Sequence, residues 1–240
     1  MALFGKMFEK KSCDICGKET GRVFGNNKVE DGNMCNDCVA KLSPYFEGRR
    51  HSTLAQIREQ LAYREENRGA VDAFAPTRTL GTETKVYIDE DDQKVIVTRF
   101  SDWRSNNPDV FDYTQITGCK YDVDERRSEI TYTDDEGKKK SYDPPRYEYE
   151  YYFYITIDIN HPYVSRIRFK LNQNTIERRG SVEYISCENQ AKEICEALTQ
   201  VREGVRQAKE PKAAMQCPHC MATTMPDANG RCEYCGGALF

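Results

Sequence analysis

The 240-residue sequence holds one tryptophan and three histidines. Histidine supplies most general bases and most imidazole metal ligands, so this scarcity leaves little room for histidine-centred chemistry. No phosphate-cradling P-loop, dinucleotide glycine motif, H-E-x-x-H or nucleophile elbow occurs. No catalytic set is visible, and the chain is expected not to be an enzyme. A membrane span needs about 20 consecutive apolar residues, and the longest apolar runs, such as 151–155, fall far short. A large excess of one charge is also missing. Thirty-five Lys and Arg against 39 Asp and Glu leave a net −4, which argues against a broad electrostatic grip on nucleic acid. Residues 1–11 lack the apolar core and small-residue cleavage site of a secretory signal. Position 2 is not glycine, so myristoylation is not indicated. Phe4 and Phe8 could share a helix face, but so short a face anchors weakly on a membrane. The expectation is a cytoplasmic chain without a transmembrane segment, for which peripheral membrane contact is disfavoured.

Cysteine, by contrast, is abundant and patterned. Eight of eleven cysteines form four C-x2-C pairs, two near each end: Cys13/Cys16 with Cys35/Cys38, and Cys217/Cys220 with Cys232/Cys235. In a chain without an export signal this spacing reads as metal binding rather than disulfides. Each set offers four thiolates, enough to close a tetrahedral zinc site. A catalytic zinc usually keeps one position open, so both sites read as structural. Iron in a four-sulfur site is the chemical alternative. Two Zn2+ per chain are expected, each supplying about 10–16 kcal/mol of folding energy to a segment too poor in apolar residues to fold alone.

The chain divides by pattern into four parts: residues 1–50, an N-terminal zinc finger; 51–81, helix and linker; 82–208, a β-rich domain; and 209–240, a C-terminal zinc ribbon. In the first, a knuckle at Cys13–Gly17 precedes a hairpin pattern (22–24, a turn at 25–27, then 28–30). Cys35/Cys38 then open a short helix that Pro44 stops. This order of knuckle, hairpin and helix resembles a treble clef. Residues 52–68 read as an amphipathic helix with a Thr53/Gln56 capping box and Leu54, Ile57 and Leu61 on one face, ending at Gly69. Strand signals fall at 84–89, 93–100, 115–122, 128–133, 138–142, 149–159 and 163–171. The clearest is the alternation over 147–159, with Tyr151, Phe153, Ile155, Ile157 and Ile159 on one face. Trp103 sits in a polar loop. A helix over 187–208, capped by Ser186, carries an apolar stripe from Ala191 to Val205. Seven antiparallel strands and a terminal helix predict an α+β fold: a pleckstrin-homology-like antiparallel β-barrel plugged by its C-terminal helix, flanked by two small zinc modules. Residues 80–208 are expected to fold without metal. Residues 206–216, with Lys209, Pro211 and Lys212, read as a tether. The ribbon turns near Asn229-Gly230.

Other candidates have plainer readings. His219, inside a knuckle, reads as outward-pointing, His51 as a surface residue and His161 as a turn residue. Cys119 and Cys195 read as small buried hydrophobes. Cys187, near a helix start, has no identifiable base beside it. Arg166, Arg168 and Lys170 form a basic strand face. It either binds phosphate or pairs with Glu148, Glu150 or Asp158 across the strands, and pairing is favoured. Lys138-Lys139-Lys140 and Asp89-Glu90-Asp91-Asp92 read as solvated hairpin tips. The acidic run lacks the ligand pattern of a calcium loop. Tyr152 and Tyr154 could stack bases, fill a partner groove or cover a neighbouring element.

Cys13-Asp14-Ile15-Cys16-Gly17 followed by residues 29–38 (VEDGNMCNDC) resembles an uncharacterised bacterial family of N-terminal four-cysteine zinc fingers, a domain of unknown function. Such fingers often precede a pleckstrin-homology-like region, which residues 110–116 (VFDYTQI) resemble. Residues 217–237 are similar to generic zinc ribbons. The family carries no established activity, so the resemblance implies zinc and fold only. The functional expectation is a non-enzymatic interaction or adaptor protein with a protein partner. The alternatives are a nucleic-acid-associated factor acting through its ribbon, or a redox- or zinc-responsive sensor. Only Arg231 is basic between the ribbon's cysteine pairs, which weighs against nucleic acid.

Overall fold

The structure is a computed structural model that describes residues 11–20, 25–209, 214–227 and 230–239. The possible membrane face of Phe4 and Phe8, the first half of the expected 22–24 hairpin, Pro211, Lys212 and Asn229 lie outside these residues. The chain forms two compact units, Met1–Arg202 and Glu203–Phe240.

The first unit begins with two tiny antiparallel ladders. Strand β1 (Lys11–Ser12) pairs with β2 (Glu19–Thr20), and β3 (Asn27–Lys28) with β4 (Asn33–Met34). The second ladder therefore lies later than the expected hairpin, closed by the tight turn at Asp31-Gly32. A one-turn helix, α1 (Asn36–Ala40), follows, and then α2 (Leu54–Ala73). The Thr53 hydroxyl accepts from the Gln56 amide and Gln56 Oε1 accepts from the Thr53 amide, completing the capping box. Helix α2 does not stop at Gly69. An interior glycine costs about 1 kcal/mol, whereas continuing the helix buries Val71, with Phe74 just beyond, in one cluster with Tyr87, Ile96 and Trp103. Burial wins, and the expected linker becomes helix and strand.

Two antiparallel sheets follow. The first is a meander of β5 (Arg78–Leu80), β6 (Lys85–Asp89), β7 (Lys94–Thr98) and β8 (Val110–Asp112). Both faces of its central strands are covered. Val86, Ile88, Val95 and Val97 are buried on one face, while Tyr87 and Ile96 meet the end of α2 on the other. Trp103 is not in a loop. It opens the short helix α3 (Trp103–Asn106), buried edge-on against Phe74.

The second sheet has the order β11–β10–β9, from β9 (Ile116–Thr133), β10 (Lys139–Ile159) and β11 (Arg166–Lys170). Four of the expected strands fuse into these two long ones. Their polar middles, and Pro144-Pro145, read as loops, yet they pair across a bulge between Ser141 and Arg146, where proline costs no ladder bond. The alternation on β10 buries Tyr151, Phe153, Ile155, Ile157 and Ile159, but Tyr147 is 40% exposed. Beyond Tyr151 the hairpin leaves the core, and from 125 to 148 no residue is buried. That half forms a two-stranded arm about 30 Å long at 3.3 Å per residue.

Helix α4 (Val182–Lys209) closes the second sheet. It starts a turn earlier than expected because Ser181, not Ser186, caps it: the Ser181 hydroxyl accepts from the Tyr184 amide. The β-branched and aromatic residues Val182, Tyr184 and Ile185 hide this first turn from a propensity reading. Tyr184 packs edge-on against Tyr151 and Phe153. Among the described residues no closed barrel forms. The two sheets share no hydrogen-bonded strand pair, and a 3-10 turn at Tyr113–Gln115 separates them. The long strands spend their length in the arm rather than in closing a cylinder. In the second unit, β12 (Met215–Gln216) pairs with β13 (Thr223–Thr224). Among the described residues, no helix is long and apolar enough to cross a membrane.

Candidate metal centres

Three of the four cysteine pairs sit in the same local device. After Cys13, Cys217 and Cys232 the chain turns so that the amide four residues on donates back to the cysteine carbonyl: Gly17 to Cys13 at 2.8 Å, Met221 to Cys217 at 2.9 Å and Gly236 to Cys232 at 2.8 Å. The donating residue adopts φ of 75°, 61° and 69° respectively. This left-handed step lets the second cysteine point at the same spot as the first. Two of these turns also share a frame: β1–β2 and β12–β13 are the matching two-residue ladders on either side of the Cys13 and Cys217 turns.

The fourth pair is built differently. Cys35 is the N-cap of α1, and its sulfur accepts from the Cys38 amide at 3.4 Å. The first centre is thus a turn plus a helix start, and the second is two turns. All eight expected ligands converge. Within each set the sulfurs lie within 4.8 Å of one another, and either group can hold a metal ion. Zinc–sulfur bonds of about 2.3 Å in a tetrahedron set sulfurs about 3.8 Å apart. The observed separations are 3.8 Å for Cys13–Cys38 and 3.6 Å for Cys16–Cys35, Cys217–Cys235 and Cys220–Cys232. The donor set and its spacing fit the ion.

The electrostatics of the clusters agree. Burial pushes the Cys13 thiol up, but the amides of Cys35, Cys16 and Ile15 outweigh it and hold the thiol at about 6. Cys38 moves the other way, raised by burial and then by the sulfurs of Cys16, Cys35 and Cys13. At the second centre burial again opposes the fall of Cys217 to about 6, which the Cys220 and His219 amides drive. The Ala222 amide resists the rise of Cys220 to about 12, imposed by burial and the neighbouring sulfurs. Without metal, each cluster therefore pools protons that a metal displaces on binding. Four thiolates around a divalent ion carry a net charge of about −2. Lys18, paired with Asp37 at 2.7 Å, lies within the electrostatic reach of Cys16 and Cys35.

The first centre is built into its unit. Cys13, Cys35 and Cys38 share one apolar cluster with Val29, Met34, Leu42 and Ile57, flanked by Leu54 and Leu61 of α2. Arg58 donates to the Asp14 carbonyl at 2.9 Å, and Asp31 accepts from the Leu54 amide at 2.7 Å. Further along α2, Arg64 (6% exposed) meets Asp109 (0%) at 2.8 Å. Arg64 also donates to the carbonyls of Lys41 and Asn107, while the Ser43 hydroxyl donates to Asp109 at 2.6 Å. This buried knot ties finger, α2 and the strand before the long hairpin together. No periodicity announces it, because its partners are 45 and 66 residues apart.

The other candidates fall as follows. His219 is exposed, turned toward Gly237 and outside the ligand cluster. His51 is exposed. His161 packs at a tilt against Tyr63 at 4.8 Å and Tyr163 at 5.7 Å, and desolvation holds its imidazole below the usual range. The basic strand face pairs across strands, in part with unexpected partners. Arg166 meets Asp158 at 2.8 Å, but Arg168 reaches Asp122 on β9 at 3.0 Å, and Lys170 lies over the Tyr152 ring. Tyr152 and Tyr154 are thus covered by cations from their own sheet, Arg126 and Arg168. Lys138 and Lys140 pair with Glu136 and Asp134 at the arm's tip. Asp89 is not solvated: it is buried and accepts from the Ala75 and Asp92 amides. Cys187 is buried, whereas Cys119 and Cys195 are only half-buried. Their sulfurs lie 3.1 Å apart, a juxtaposition that sequence reasoning missed.

Residues 11–60 match the family described as a domain of unknown function (DUF4428). The match spans the first cysteine cluster and the start of α2, including Leu54 and Ile57 of its apolar core. No curated protein and no solved structure matches the chain.

Proposed function

We propose that this chain is a non-enzymatic, zinc-binding interaction protein of the cytoplasm, with a protein as its partner. Both metals are structural in this reading. Four thiolates complete each shell and leave no coordination position for a substrate. The observation that carries the reading is the β9–β10 arm. An isolated two-stranded hairpin is marginal in water, yet here residues 125–148 stand clear of the core and expose Ile130, Tyr132 and Tyr147. Exposed aromatics with guanidinium groups over them (Arg127 on Tyr147, Arg146 on Tyr142) are a composition suited to protein contacts. Acids and bases nearly balance along the arm, seven against six over 125–148, and Arg166 and Arg168 are already paired, which favours protein over nucleic acid as the partner. A four-stranded meander, a three-stranded meander and a terminal helix, in that order, support a pleckstrin-homology-like reading of the middle region, open rather than closed.

The test is to replace residues 125–148 by a tight turn and compare affinity capture from native cells, with and without nuclease. The shortened chain is expected to keep its metals and its melting temperature while losing a nuclease-resistant protein partner. Retention of the same partner, or capture that nuclease abolishes, would contradict the proposal.

A further inference from the structure

Cys119 lies on β9, the edge strand of its sheet, directly opposite Ile157 in the β9–β10 register. Cys195 lies on α4, one residue beyond the fully buried Ile194 and three before the buried Leu198. The helix packs on this sheet through Tyr184, against Tyr151 and Phe153, and the half-buried sulfurs of Cys119 and Cys195 lie 3.1 Å apart. That is closer than the 3.6–3.8 Å separations given above for the metal clusters. A disulfide needs about 2.05 Å between sulfurs, so roughly 1 Å of side-chain adjustment separates the dithiol from a bond. Neither cysteine belongs to a metal cluster.

We infer that Cys119 and Cys195 form a redox-active dithiol, a modification site that takes a small-molecule disulfide as its oxidant and reversibly staples α4 to the edge of the second sheet. Cys195 is the attacking sulfur. The hydrogen bond from Cys119 holds the Cys195 thiol below its usual range, against burial and the nearby Glu196. The same bond, together with burial and the charges of Cys195 and Asp158, keeps Cys119 protonated. The Cys195 thiolate attacks one sulfur of the oxidant, forming a mixed disulfide and expelling one thiolate. Cys119 then gives up its proton, attacks the Cys195 sulfur and expels the second. Two protein thiols and one small disulfide become one protein disulfide and two small thiols, which carry the two protons away. Cys187, on the same helix but buried, is pushed up to about 11 by desolvation and serves as the inert comparison.

The experiment treats the metal-loaded full chain with oxidised glutathione, blocks remaining thiols with N-ethylmaleimide and maps tryptic peptides without reduction. Residues 105–120, which hold Cys119, are expected joined to 193–202, which hold Cys195, while 180–192 carries maleimide on Cys187. Dithiothreitol should separate the pair again. In Cys119→Ser the mixed disulfide is expected to stop on Cys195. In Cys195→Ser, Cys119 is expected to end up carrying maleimide. Maleimide on both cysteines of the unsubstituted chain would overturn the inference. So would a link from either one to a zinc-cluster cysteine, or glutathione left on both without a bond between them.

Discussion

Gly17 and Gly236 stand at φ 75° and 69° with nothing within 4 Å of where a Cβ would lie. Their role is therefore conformational alone. Gly17→Ala and Gly236→Ala are each expected to weaken their own centre by about 1–2 kcal/mol, the penalty for an L-residue in the left-handed region. Competition with a chromophoric chelator reads this as roughly a tenfold loss in metal affinity, confined to the substituted centre. The Arg64–Asp109 pair makes a second residue-scale case. Arg64→Ala leaves the buried Asp109 carboxylate without its ion partner, with only the Ser43 hydroxyl still donating to it, and is expected to cost about 3–5 kcal/mol in denaturant unfolding. Replacing both partners with apolar residues should recover a large part of that loss. The ligand residues were legible in the sequence because C-x2-C is a local signal. Arg64, Asp109 and Ser43 were not, because ordinary polar residues far apart in sequence acquire their roles only through the fold. The Cys119–Cys195 contact was hidden for the same reason: each looked like a core cysteine on its own element.

Elements were legible where a cap or a period marks them. The Thr53/Gln56 box set the start of α2, and the alternation of 151–159 set the core strand. What failed was any element whose length is decided elsewhere. Helix α2 outruns Gly69 because Phe74 and Val71 find Trp103. The long strands outrun their apolar stretches because each pairs with the other rather than with a core. This alters one expectation. A fragment of residues 80–208 lacks α2 and exposes Tyr87, Ile96 and Trp103, whereas a fragment of 54–208 covers them. In chelator, the longer fragment is expected to melt cooperatively and the shorter to melt at least 10 °C lower or without cooperativity. Equal melting curves would show that α2 contributes nothing to the first sheet.

At the scale of the whole molecule, the two centres stabilise different amounts of structure. The first shares its apolar cluster with α2, so removing its metal is expected to lower the main unfolding transition of the unit Met1–Arg202. The second serves a unit whose small cluster is Cys217, Cys232 and Leu239, so its metal governs only that unit. The central claim is that both cysteine sets bind zinc with sulfur alone. The most direct measurement is the X-ray absorption spectrum at the zinc edge of protein purified without added metal, normalised to chain concentration. Two zinc ions per chain, each with four sulfurs at about 2.3 Å and no nitrogen or oxygen in the shell, is the predicted result. One zinc per chain, a shell containing lighter donors, or iron in place of zinc would contradict it.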